Sequence, residues 1–302
     1  MNQNFIIRLD HNKNTSNHSR WRRFKYSRFV EAINKNPFAS IGIIIIFVFL
    51  LISLFPFLFT DNDPIKLEIR SRLLPPSAEH PFGTDMMGMD IYARVIYGAQ
   101  LTLRNIFVVM GIAVGIGLII GSVAGFFGHI IEEVLMRFTD IFLAFPSLIL
   151  AIAVNAVLGR GFLQTMLAVG FSWWPGYART IRGQILSVKY DDFIVAANSM
   201  GASEFRVLTK HILPNCFVPV LVRITLDSGF VALTTASLSF LGMGAELPAP
   251  EWGRMVADGR NFLLNEWWVS TFPGLALFLV VVGFNLFGEI IRDWLDPSRI
   301  GR

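Results

Sequence analysis

Cysteine and charge are both scarce in this chain of 302 residues. Its single cysteine, Cys216, excludes an internal disulfide, so no disulfide framework can hold the fold together. Charged residues make up 16% of the sequence, whereas soluble domains average about 25%. With 53% hydrophobic residues and a mean hydropathy of +0.54, the composition is that of a membrane protein.

Sequence motifs for catalysis and nucleotide binding are missing as well. There is no G-x-x-x-x-G-K-[ST] phosphate loop, no H-E-x-x-H or C-x-x-C metal motif, and no G-x-S-x-G nucleophile motif. The five histidines are scattered along the chain. We therefore predict that the chain is not an enzyme, that it binds no cofactor or metal, and that it does not bind ATP itself.

Six apolar runs are each close to the ~20 residues that cross a bilayer. They cover residues 38–59, 103–127, 138–158, 162–183, 216–239 and 272–291. We therefore predict an all-α polytopic membrane protein with six transmembrane helices in the cell membrane, inner or plasma. The predicted parts are a basic tail (1–36), a first helix with its outside segment (37–100), a five-helix membrane domain (101–292) and a C-terminal tail (293–302).

The basic tail fixes the expected orientation, because Lys and Arg are enriched on the cytoplasmic side of membrane proteins. A nucleic-acid-binding arm is the alternative for such a run, but beside a membrane span the topology signal is favoured, and we expect no nucleic acid partner. Both termini are then cytoplasmic. Residues 60–102 and 240–271 lie outside, and residues 184–215 lie inside.

Several residues inside the spans have predicted packing roles. The glycine pairs of the second span have the small-xxx-small spacing of close-packed helices; they are Gly111/Gly115, Gly117/Gly121 and Gly121/Gly125. We expect Asn155 and Asn285 to form hydrogen bonds between helices, and Arg179 and Arg182 to extend towards the cytoplasmic headgroups.

Arg223 and Asp227 are an i, i+4 pair within the fifth span. Ionisable groups in a membrane are costly, so they usually pair or face a cavity. Two roles are open: a self-neutralising pair that stabilises the bundle, or a contact with a transported substrate or a partner subunit.

The stretch from Asp191 to Asn215 predicts a helix, a turn and a second helix inside the cell. Asp191 and Asp192 suit the positive end of the first helix dipole, and Gly201 suits a left-handed residue just after its end. Ser203 could cap the second helix, which Pro214 would terminate. Because Ala196, Ala197 and Gly201 expose little side chain, another protein surface could approach the backbone closely.

This stretch resembles the signature loop of ABC-importer permeases, in the run VAANSMGASEFRVLTKHILPN. Val195 stands where that family often has a glutamate. In the family the loop carries a coupling helix that fits a groove on the ATPase subunit. The resemblance implies docking residues within a coupling loop at about 187–215: Asp192, Ala196, Ala197, Gly201, Ala202, Ser203 and Arg206.

Further stretches resemble the oligopeptide, dipeptide and nickel branch of that family. They are HPFGTDMMGMDIYARVIYG at residues 80–98, SLSFLGMGAELPAPEWGRMVADGR at 237–260, FNLFGEIIRDWLDPSR near the end, and NPFASIGIIII at the first span. Met89 replaces the arginine usual in the first of these. The resemblance runs from about residue 25 to 302 and points to the second permease subunit, with a type I ABC-importer permease fold.

The resemblance also implies the partners: a second homologous permease, two ATPase subunits that bind ATP and Mg, and an extracytoplasmic substrate-binding protein. Short peptides are the expected cargo, with nickel chelates or other small solutes as alternatives within the family. From a different class, an ion-driven secondary transporter could use the charges inside the spans. A structural membrane scaffold is a third interpretation.

Overall fold

The computed structural model describes residues 37–295; the predicted basic tail 1–36 and residues 296–302 lie outside this range. Within it the regular structure is helical, apart from one isolated bridge between Thr84 and Asp90. The helices are α1 (Pro37–Leu54), α2 (Ile91–Phe127), α3 (His129–Leu143), α4 (Ser147–Leu158), α5 (Phe162–Val188), α6 (Asp192–Ser199), α7 (Glu204–Phe240), α8 (Trp252–Gly259) and α9 (Trp268–Leu295).

Three of the described helices are long and apolar enough to cross a membrane, namely α2, α7 and α9. The count rises to four if α3 and α4 together form one span. Helix α5 is long enough but less apolar, and α1 is apolar but short, with 18 residues or about 27 Å. The helical class is therefore confirmed, whereas length and composition alone do not establish six spans.

The third predicted span, 138–158, is wrong as a single helix. Helices α3 and α4 meet at an angle of 89° across residues 144–146. Pro146 lies at this break, as the residue before the first turn of α4. Proline lacks an N–H and disfavours a helical conformation in the residue before it, so α3 ends before Pro146 and a new helix begins.

Helix α2 starts twelve residues before the predicted span. Asp90 caps its first turn, because Asp90 Oδ1 accepts a hydrogen bond of 2.7 Å from the Ala93 amide. With 37 residues the helix is about 55 Å long, which exceeds the ~30 Å hydrocarbon core of a bilayer. The helix is therefore longer than one crossing of the hydrocarbon core requires.

The glycines of α2 differ in what they face. A Cβ on Gly117 would lie 2.5 Å from Tyr177 Cβ, and one on Gly121 would lie 2.5 Å from the Ala178 carbonyl oxygen. These glycines therefore let α2 and α5 approach closely, as predicted. Gly111 and Gly115 have no atom within 4 Å of such a Cβ, so that pair packs against nothing within the described chain.

One end of the bundle is held together by Arg94, which is 1% exposed. Its Nη1 donates hydrogen bonds of 3.0 Å to the carbonyl oxygens of Pro64 and Pro248, in the segments before α2 and before α8. Its Nε lies 3.6 Å from Asp85 Oδ2. Met89, which replaces an expected arginine, accepts a hydrogen bond from Arg94 through its sulfur.

Asp85 belongs to the same cluster, which we call the Arg94 knot; it consists of Arg94, Asp85, Met89 and the carbonyls of Pro64 and Pro248. Burial raises the pKa of its carboxyl, while Arg94 and the backbone amides of Met87 and Met89 oppose that shift. The loops before α2 and before α8, which are both predicted to lie outside, are thus joined into one structure at the same end of the bundle.

At the opposite end of the bundle, Arg179 and Arg182, which are predicted to extend towards the headgroups, form ion pairs. Arg179 pairs with Asp140, and Arg182 Nε donates a hydrogen bond of 2.6 Å to Glu132 Oε1. Both acids belong to α3. Helix α3 is therefore fixed to the last turns of α5, because oppositely charged side chains face each other across the two helices.

Candidate functional site

The candidate site is the segment between α5 and α7, which contains the short helix α6. Asp191 is the N-cap residue, with φ −65° and ψ 147°, and its carbonyl accepts from the amides of Ile194 and Val195. Its side chain makes no cap hydrogen bond. Asp192 follows in the first turn, where a carboxylate favours the positive end of the helix dipole.

The end of α6 has the geometry predicted from Gly201. This glycine adopts φ +80°, a left-handed conformation that side chains disfavour. The Gly201 amide donates to the Asn198 carbonyl at 2.9 Å, and the Ala202 amide donates to the Ala197 carbonyl at 3.2 Å. These two bonds form a Schellman motif, which ends α6 sharply and exposes Gly201.

The second helix of the segment does not end at Pro214, so that prediction is wrong. The chain continues from Glu204 through a π-helical turn, Val207–Ile212, into Leu213–Phe240, as one helix of 37 residues. Pro214 is tolerated because it lies at the start of the regular α-helical part, where its missing N–H matters least. Ser203 is the N-cap residue as predicted, but its side chain makes no cap hydrogen bond.

Buried and exposed residues alternate along the segment. Ile194, Ala197, Val207 and Ile212 are buried against the bundle. The same segment also exposes large apolar side chains, which we call the loop patch: Tyr190, Phe193, Val195, Met200 and Phe205. Met200 is 82% exposed and Phe205 77%. Several large apolar side chains exposed on one short, anchored segment favour a protein interaction site.

The residues assigned to docking by resemblance lie on or beside this surface. Asp192, Ala196, Gly201, Ser203 and Arg206 are exposed, and Ala202 is half-buried. Ala197 is 5% exposed and faces the bundle, so it anchors α6 rather than presenting a surface. The loop patch was not predicted, although all five of its residues lie within the predicted coupling loop, 187–215.

The start of the segment is also fixed. Lys189, the C-cap residue of α5, donates a hydrogen bond from Nζ to the Phe126 carbonyl in the last turn of α2. A lysine beside the unpaired carbonyls of a helix C-terminus interacts favourably with them. The segment is therefore connected to α2 as well as to the helices that flank it.

Arg223 and Asp227 are paired in α7, with Arg223 Nε 3.1 Å from Asp227 Oδ2. The pair also reaches α5. Tyr177 Oη donates a hydrogen bond of 2.9 Å to Asp227 Oδ2, and Arg223 Nη1 donates to the Gly176 carbonyl at 2.9 Å. Arg223 Nη1 also donates to Thr180 Oγ1, and the guanidinium lies 4.9 Å from the centre of the Tyr177 ring.

Of the two asparagines expected to join helices, one does so. Asn155 Nδ2 in α4 donates to Thr165 Oγ1 in α5 at 2.9 Å. Asn285 instead donates to the Val281 carbonyl in its own helix, so that prediction is wrong. A third residue, Asn105, was missed and accepts a hydrogen bond of 3.0 Å from Thr235 in α7.

Comparison with known proteins identifies the family. Residues 117–301, more than half of the chain, match the family described as "Binding-protein-dependent transport system inner membrane component". The chain belongs to this family. The resemblance drawn from the signature loop is thereby confirmed, and the protein is a permease of a binding-protein-dependent transport system.

Similar permeases cover nearly the same length. The probable D,D-dipeptide transport system permease protein DdpC of Escherichia coli K12 is 41% identical over 280 residues, which is 93% of this chain and 94% of that one. The dipeptide transport system permease protein DppC of Alkalihalophilus pseudofirmus is 42% identical over 266 residues, 88% of each chain. The nickel transport system permease protein NikC of Escherichia coli K12 is 36% identical over 260 residues, 86% of this chain and 94% of that one.

Proposed function

We propose that this permease forms half of the translocation pathway of an ATP-driven importer for short peptides, and that residues 187–215 couple it to ATPase subunits. The observation that carries the proposal is the loop patch. Its apolar side chains are exposed on a segment that is capped by Gly201 and anchored by buried residues between two long helices. That arrangement fits a rigid element that transmits force from a second protein.

The membrane arrangement that we propose has six spans: α1, α2, the bent pair α3 and α4, α5, α7 and α9. Both termini lie in the cytoplasm, in agreement with the positive charge of the tail. The loop patch then faces the cytoplasm, where ATP is available. The Arg94 knot lies at the extracytoplasmic end, where a substrate-binding protein would deliver its cargo.

The partners follow from this arrangement. A second homologous permease completes the pathway, two ATPase subunits bind ATP and Mg and perform the hydrolysis, and a binding protein supplies the cargo. This chain contributes no catalytic group and holds no cofactor of its own. Its role is mechanical, because no bond is made or broken in it.

Short peptides are the proposed cargo because relatives at 41% and 42% identity are named as permeases for dipeptides. A relative at 36% identity is named for nickel, so a nickel chelate is the alternative cargo within the family. Competition for uptake between a labelled dipeptide and a nickel chelate, in cells that carry the complete transporter, would decide between the two.

An ion-driven secondary transporter is a second candidate, since the half-buried charges of Arg223 and Asp227 lie inside a span. Such a carrier would have no use for the loop patch. Uptake should be measured with an uncoupler present while ATP is maintained. We expect transport to persist under those conditions, and its collapse would instead support the ion-driven carrier.

A further inference from the structure

Three hydrogen bonds define a polar cluster between α5 and α7 that the docking role does not explain. Tyr177 donates a hydrogen bond to Asp227, and Arg223 donates hydrogen bonds to Thr180 and to the Gly176 carbonyl. We call these five residues the interhelix clamp. Each connection pairs a group on one helix with a charged side chain on the other.

The clamp lies well inside the bundle on both helices. Tyr177 is about 16 Å along α5 from its end at Val188, and Arg223 is about 28 Å along α7 from its start at Glu204, at 1.5 Å per residue. The two helices that flank the segment are linked there by hydrogen bonds.

The two helices otherwise pack mainly against different neighbours. Helix α5 packs chiefly on α2, where Tyr177 and Ile181 meet the glycine face. Helix α7 packs chiefly on α9, where Gly229 lies against Val281. The two helices also contact each other directly, and the polar link adds hydrogen bonds, which are one of the forces that hold helices together in lipid.

We propose that the interhelix clamp makes α5 and α7 move as one unit when the coupling segment is displaced, so that ATP hydrolysis is converted into transport. This inference rests on the proposed function. Arg223 and Asp227 neutralise each other within α7, and their remaining hydrogen-bonding capacity holds α5. Tyr177 and Thr180 are then positioning residues for transport rather than contacts for the cargo.

The test uses the complete transporter in lipid vesicles, with its binding protein and labelled cargo. Tyr177→Phe combined with Thr180→Val removes both side-chain contacts from α5 and leaves the Arg223–Asp227 pair intact. Thr180→Val alone is the milder variant, because valine has nearly the shape of threonine. Thr234→Val is the matched control, since Thr234 on α7 is half-buried and its hydroxyl donates to its own helix, at the Phe230 carbonyl.

We expect the double variant to hydrolyse ATP at close to the wild-type rate but to use about tenfold more ATP for each molecule transported, since it loses two hydrogen bonds within the membrane. Thr180→Ser has a hydroxyl where Thr180→Val has none, so its ratio of ATP hydrolysed to molecules transported should return towards the wild-type value. Thr234→Val should leave the ratio unchanged.

An unchanged ratio in both the double and the single variant would overturn the inference. A raised KM for cargo with an unchanged ratio would also overturn it and would make the cluster a cargo contact. These results differ from a failure of the proposed function, in which the wild-type complex itself would show no ATP-dependent uptake or would not retain ATPase subunits.

Discussion

Replacing Gly201 by tryptophan is predicted to prevent ATPase docking without preventing membrane insertion. Apart from its two chain neighbours, no residue in the described range 37–295 has an atom within 4 Å of a Cβ built at this position, so the indole would project away from the permease. The φ of +80° makes any side chain costly by about 1–2 kcal/mol, a cost confined to the end of α6. The docked ATPase, by contrast, would meet a bulky ring where it approaches the backbone.

Forcing extra volume into a packed interface typically costs about 1–3 kcal/mol, which corresponds to a loss of affinity of roughly fivefold to 140-fold. The assay is purification of the tagged permease in mild detergent, with the co-purifying ATPase measured by quantitative blotting. We expect the ATPase yield to fall by that factor while the permease remains monodisperse and at normal abundance in the membrane.

Two control variants distinguish the effect of the tryptophan's bulk from the effect of left-handed backbone strain and from the effect of its position in the chain. Gly201→Ala has the same left-handed strain with little added volume, and it should retain most of the ATPase. Gly159→Trp has a similar φ of +91° and equally open surroundings, but it lies between α4 and α5, at the proposed extracytoplasmic end. Wild-type ATPase yield with Gly201→Trp, or an equal loss in both controls, would refute the reasoning.

Three further predictions concern stability, each measured by thermal unfolding of the purified protein. Gly121→Leu should lower Tm or prevent folding, because a Cβ there meets the Ala178 carbonyl at 2.5 Å, while Gly111→Leu should be tolerated; equal effects would contradict the packing of α2 on α5. The pKa of Asp85 is raised in the fold, so the stability that its carboxyl contributes is lost as the pH rises above about 4. Asp85→Asn should therefore become more stable relative to the wild type over that pH rise. A loss of stability relative to the wild type over the same rise would contradict the direction of the pKa shift. Arg94→Lys should lower Tm by several degrees, since a lysine cannot reproduce the separate hydrogen bonds to Pro64 and Pro248; an unchanged Tm would show that the knot contributes little.

The helical class and the approximate positions of the helices could be predicted from hydropathy because burial in lipid requires continuous apolar runs. Helix ends were less predictable. Helix α2 begins at Ile91 rather than near residue 103, because the cap from Asp90 and the buried Arg94 support helix in a stretch that is too polar to read as membrane.

Local chemistry predicted the turn at Gly201 well, since its left-handed geometry depends on neighbouring residues alone. It failed at Pro214, because a π-helical turn immediately before it allows the chain to continue as a helix. Pairings between distant residues could not be predicted at all. The partners of Arg179 and Arg182 lie some 40–50 positions earlier in the chain, and only the packing of α3 on α5 brings them together.

In the candidate functional site, too, local features could be predicted and contacts between distant residues could not. Resemblance singled out the segment between α5 and α7 and five of its exposed residues, but it did not distinguish Ala197, which faces inward, from Ala196, which faces outward. The Arg223–Asp227 pair was predictable from its i, i+4 spacing. Its connection to Tyr177 and Thr180 was not, because that depends on how α5 and α7 cross.

The most direct test of the central claim is crosslinking from a cysteine placed at Met200, the most exposed side chain of the loop patch. The only native cysteine, Cys216, is 2% exposed and should react little. With a short thiol-to-amine crosslinker, we predict that the Met200→Cys permease in native membranes forms a product containing the ATPase subunit, and that addition of the purified ATPase to stripped membranes restores it. Modification of this cysteine by a membrane-impermeant reagent in intact cells, without any ATPase product, would contradict the account.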